Sequence, residues 1–68
     1  MNIEEIKRLK RGQSMVYYVG DLARDANGKR DLSAMRDRVY GYAAAGVVNL
    51  VQRKVRGGYE YIAIGRRN

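Results

Sequence analysis

Lys54, Arg56 and Tyr59 fall within six residues around a Gly57-Gly58 pair, and Lys29-Arg30 stand just before an apolar-periodic stretch. Closely spaced cations with an aromatic on a slim ribbon can pair with phosphate oxygens and lie against a groove wall. The plainer use of such residues is to guard an exposed strand edge, which lysine and arginine also do. The periodic stretch adds Ser33, Ala34, Asp37 and Arg38 on its polar side. Small side chains there leave room for close approach. An arginine can read a guanine edge, and an aspartate can accept a hydrogen bond from cytosine although it is awkward beside phosphate. As an ordinary solvated helix face, the same four residues need no partner.

Composition narrows the chemistry further. The formal net charge is +7 over 68 residues, with ten arginines to four lysines. Such a balance favours polyanions, and arginine's planar fork suits phosphates and guanine edges better than a lysine point charge does. Cysteine and histidine are both absent. That removes disulfides, thiolate metal sites, the commonest neutral-pH acid-base and any Ser-His or Cys-His nucleophile. The acids Glu4, Glu5, Asp21, Asp25, Asp31, Asp37 and Glu60 show no metal-ligand spacing, and most are accounted for as caps or surface partners. Gly57-Gly58 is no phosphate loop, since no helix follows it. No enzyme activity, cofactor, metal or small-molecule ligand is expected. No stretch is long or apolar enough to span a bilayer and no signal-peptide core is present, so the expected location is the cytoplasm, on the nucleoid if the source is bacterial.

The elements that must position these residues follow from periodicity. Asn2 to Arg11 reads as a first helix, with Ile3, Ile6 and Leu9 on one face, an Asn2/Glu5 capping box, acids first and bases last, and Gly12 as its stop. Met15 to Val19 reads as a short strand. Asp21 can cap a short helix over Leu22 to Ala26, and Asn27-Gly28 is a turn signal. The long helix runs from Asp31 to Ala45 with Asp31 or Ser33 as its cap and Leu32, Met35, Val39 and Ala43 on its apolar stripe. Gly46 ends it in the left-handed conformation with Val47 packing back. Val47 to Val55 and Tyr59 to Ile64 form a hairpin around Gly57-Gly58, read as a type I′ turn. That places Val51, Val55, Ile62 and Ile64 on one face and Leu50, Gln52, Lys54, Arg56, Tyr59, Tyr61 and Ala63 on the other. A short strand needs neighbours, so the expectation is one α+β domain over residues 1–68, with three helices and a three-stranded antiparallel sheet.

In that order the chain resembles a winged helix-turn-helix domain over nearly its full length. The likeness is carried by Gly20-Asp-Leu-Ala-Arg-Asp25, by Leu32 to Ala45, and by Ala45-Gly46-Val47-Val48 leading into Arg53 to Tyr61. More loosely it is similar to small phage or prophage regulators of that fold. The resemblance implies double-stranded DNA binding and transcriptional regulation, with the third helix in the major groove and the hairpin wing on the adjacent backbone or minor groove. It nominates Ser33, Ala34, Asp37 and Arg38 for the groove, Lys54, Arg56 and Tyr59 for the wing, and Lys29 and Arg30 for phosphates beside the helix. Two departures are a very short second helix and a long Asn27-to-Arg30 turn. Regulators of this kind often dimerise, which makes a homodimer a candidate assembly. Two alternatives stand beside this reading. Apolar side chains on both hairpin faces suit a protein-interaction winged helix, and six tyrosines permit an RNA binder that stacks bases.

Overall fold

The computed structural model describes residues 3–67. Ile3–Arg8 forms a 3-10 helix, shorter than the expected Asn2-to-Arg11 helix and of a different type. The spacing of Ile3, Ile6 and Leu9 explains the type. Residues three apart eclipse one another when there are three residues per turn, so this helix aims Ile3 and Ile6 the same way, and Leu9, just past its end with its N–H on the Ile6 carbonyl, continues the row. Ile6 is fully buried, and Ile3 and Leu9 pack against the core. Asn2, the expected cap, lies outside the described residues.

β1 (Ser14–Gly20) follows, then α1 (Leu22–Asp25), α2 (Arg30–Ala44), β2 (Val48–Val55) and β3 (Gly58–Gly65). The strands form one antiparallel sheet in the order β1-β3-β2. The chain is thus a small α+β domain with three helices and a three-stranded sheet. No helix among the described residues is long and apolar enough to cross a membrane.

α1 is capped as expected, with Asp21 Oδ1 accepting from Arg24 N–H at 3.2 Å. The start of α2 differs from expectation. Arg30 is its first residue and Lys29 its cap position, and no side chain caps it. Asp31 therefore lies inside the first turn. Ser33 is also helical and donates its hydroxyl hydrogen to the Ala26 carbonyl at 2.9 Å, tying α2 to α1. The C-terminal end is as expected. Gly46 has φ +79, its N–H bonds the Ala43 carbonyl, and Val47 N–H bonds the Tyr42 carbonyl. Those two bonds complete a Schellman motif.

The hairpin turn is a correction. Val55 pairs with Gly58, so Arg56 and Gly57 occupy the loop instead of Gly57-Gly58. Only Gly57 has positive φ there, at +85, and no non-glycine residue does. A type I′ turn needs positive φ at both central residues, so this is not one. The pairing is displaced by two positions from the expected one. A two-residue displacement leaves every side chain on its original face, whereas a single-residue slip would have inverted them all. Leu50 is thus opposite Ala63, Gln52 opposite Tyr61 and Lys54 opposite Tyr59, while Val51 faces Ile62 and Asn49 faces Ile64.

A bulge in β1 puts two successive tyrosines on the core face. The register shifts between Val16 and Tyr18, so Tyr17 and Tyr18 together oppose Tyr61. Tyr17 is buried, and Tyr18 and Tyr61 are half-buried against the core. All three helices lie over this face, around Ile6, Tyr17, Leu22, Ala26, Val39, Val48 and Ala63. The 3-10 helix belongs to that same core and does not cover the second sheet face. Val16, Val51 and Val19 stay 40%, 44% and 59% exposed there.

Candidate nucleic-acid interface

The two expected phosphate clusters share one end of the molecule. At the hairpin tip, Gly58 lies so near Gly20 that a Cβ on it would stand 3.0 Å from the Gly20 carbonyl. From Gly20 the chain enters the Asp21 cap and α1, and Ser33 fastens α1 to the first turn of α2. Lys29 and Arg30 at the start of α2 are therefore carried on the same end as Lys54, Arg56 and Tyr59. Lys29, Arg30, Lys54 and Arg56 are all exposed, and none forms an ion pair among the described residues.

Charge placement along α2 is the opposite of what helix stability favours. Cations belong near a helix C-terminus and anions near its N-terminus. The 3-10 helix obeys, with Glu4 and Glu5 first and Lys7 and Arg8 last. α2 instead begins with Lys29 and Arg30 and has no basic residue in its last turn; only Asp31 conforms. With no side-chain cap, its first N–H groups are open to an external acceptor, and a helix N-terminus flanked by cations is suited to hold a phosphate.

The four nominated residues of α2 are not brought onto one face. At about 100° per residue, Ser33 and Arg38 sit roughly 140° apart on the helix. Ser33 is turned to α1, as above. Arg38 is turned to the 3-10 helix, where Nη2 donates to Glu4 Oε1. Ala34 and Asp37 point outward and are exposed, Asp37 beside the Arg36 guanidinium at 3.5 Å. Tyr59 is half-buried, with its ring centroid 6.3 Å from that of Tyr61.

Two features are not visible in the sequence. A cleft of about 210 Å³ opens between α2 and β2, lined by Tyr17, Tyr40, Leu50, Val51, Gln52 and Tyr61. Burial, reinforced by the nearby Tyr40 and Tyr61 hydroxyls, pushes the Tyr17 phenol up to about 12. Tyr40 is 54% exposed at the cleft mouth, on the α2 flank opposite Arg38. The second feature is a basic pole at the far end of the sheet. Lys10 and Arg67 form a parallel bridge and Arg11 N–H bonds the Arg67 carbonyl, so the Lys10-Arg11 pair meets the Arg66-Arg67 pair, with Arg8 two residues before Lys10. Their separation in sequence hides that cluster.

No protein-family model, curated protein or solved structure matches the chain.

Proposed function

We propose that the chain binds double-stranded DNA as a winged helix-turn-helix module and serves as a transcriptional regulator. α2 enters the major groove, and the β2-β3 hairpin is the wing that lies on the neighbouring backbone. The observation that carries this reading is the pairing of two unneutralised basic clusters on one end, one of them at the N-terminus of α2 where cations oppose the helix dipole. A partner that supplies negative charge makes sense of an arrangement the isolated fold does not favour.

The experiment is a salt series of binding to random duplex DNA, random single strand and random RNA, with the bound duplex fraction sequenced. Duplex should be preferred. Replacing Lys54 and Arg56 together by alanine should reduce the slope of log K against log salt by about 0.9 for each phosphate left without its cation, nearly equally for all sequences. Unchanged affinity and slope would remove the hairpin from the interface, and a preference for RNA would overturn the duplex reading.

A second reading rests on a different observation. Val16, Ile62 and Val51 line up across β1, β3 and β2 on the sheet face that no helix among the described residues covers. An open apolar row of that kind suits a protein-interaction winged helix. Loss of partner binding on Val16→Lys, with DNA binding untouched, would favour it.

A further inference from the structure

The basic pole opposite the wing is built, not a loose pair of charged ends. Arg66 N–H bonds the Val47 carbonyl at 3.1 Å, Gly65 N–H bonds the Gln13 carbonyl at 2.8 Å, and Arg67 Nη1 donates to the Lys7 carbonyl at 3.0 Å. Lys10 N–H is held by Gln13 Oε1 at 2.9 Å. Close packing of Gly65 makes this possible, because a Cβ there would collide with the Lys10 carbonyl oxygen. Bringing like charges together in this way works against the folded state. Among the described residues, Arg8, Lys10, Arg66 and Arg67 form no ion pair, and Glu4, a nearby acid, is engaged by Lys7 and Arg38. Beside the pole is a recess of about 470 Å³ lined by Arg11, Gly12, Asn49, Ile64, Gly65 and Arg66. It offers the Arg66 guanidinium and the Asn49 amide, which is donor chemistry for phosphodiester oxygens.

The hairpin sets where this pole lies. Val55 pairs with Gly58 at the tip and Val48 with Gly65 at the other end. Eight-residue strands separate those ends by roughly 24 Å, within a longest dimension of 35 Å. The wing cluster and the pole therefore cap opposite ends of the molecule.

We infer that this pole is a second phosphate-binding surface, through which one domain bridges two duplex segments. The inference rests on the duplex-binding reading above and extends it. The test uses the full chain and two short duplexes, one fixed to beads and one carrying a fluorophore. Wild type should capture the labelled duplex on the beads. The variant Arg8→Gln/Lys10→Gln/Arg66→Gln should still bind a single duplex but capture the second about tenfold less or worse, since three cations facing phosphates carry much of the salt-dependent affinity. Should the triple variant fail to fold, Arg66→Gln alone, at an exposed side chain, should show a partial loss in the same direction. Wild type that binds no duplex would overturn the function proposed above. Wild type that binds one duplex without capturing a second would overturn the bridging inference alone. Undiminished capture by the pole variants would also overturn it, because bridging would then come from two protein copies joined elsewhere.

Discussion

Arg38 Nη2 donates to Glu4 Oε1, joining residues 34 apart in the chain. The same carboxylate receives Lys7 Nζ at 2.9 Å and the Tyr42 hydroxyl at 3.5 Å. Glu4 is thus the point where the N-terminal helix is tied to α2, and an arginine suited by type to read a base edge is employed as part of that tie.

The tie makes an acid-side prediction. The Lys7 hydrogen bond, helped by the Arg38 charge and the Tyr42 hydroxyl and opposed by burial, holds the Glu4 carboxyl below its usual value of 4.5. A depressed carboxylate contributes stability that is full above the unfolded value and lost as pH falls through the folded one. Arg38→Ala should lower Tm at neutral pH, and its gap to wild type should close below pH 4.5. An unchanged Tm with a flattened sequence preference would place Arg38 in the groove instead.

Lys29 and Arg30 predict a trade between stability and binding. Lys29 holds the extended cap conformation, φ −113 and ψ 105, without a capping side chain. Lys29→Asp should supply that cap and stabilise the fold by about 1 kcal/mol. Arg30→Glu should add about 0.3–1 kcal/mol by satisfying the helix dipole. Both should weaken duplex binding. Chemical denaturation beside a binding titration checks this, and a stabilised variant with full affinity would take the α2 N-terminus out of the interface.

Gly46 and Gly65 should fail for different reasons. Open space surrounds the Cβ position at Gly46, so Gly46→Ala meets only the strain of positive φ, on the order of 1 kcal/mol. Gly65→Ala drives a methyl into the Lys10 backbone and should cost more, with loss of the Lys10–Arg67 bridge. Urea melts, with amide exchange at Arg11 as the reporter of that bridge, separate the two.

Tyr18 and Asp25 should give stability a plateau in pH. The Tyr18 hydroxyl donates to Asp25 Oδ2 at 2.6 Å. That bond is the main cause holding Asp25 below its usual 3.8 and raising Tyr18 above its usual 10.0. The aspartate's share is lost as pH falls through its depressed value, and the phenol's share as pH rises through its elevated one. The Tm advantage of wild type over Tyr18→Phe should persist between those limits and close at both ends. A constant difference across the whole range would deny the bond.

The sequence by itself determined the element order, the α+β class, the Asp21 and Gly46 caps and the side-chain faces of the hairpin. Each depends on neighbours within about a turn or on a two-residue alternation, and the alternation tolerates the misplaced turn because the displacement is even. The three-residue spacing of Ile3, Ile6 and Leu9 already holds the 3-10 period, although it also fits the ordinary helix expected there. Tertiary structure alone decided the rest. Tyr17 and Tyr18 share the core face only because a bulge opposes both to Tyr61. Arg38 stays exposed but is engaged by Glu4, 34 residues away, and Lys7 meets Arg67 across 60 residues. Contacts of that range depend on the path of the whole chain, which local spacing does not encode.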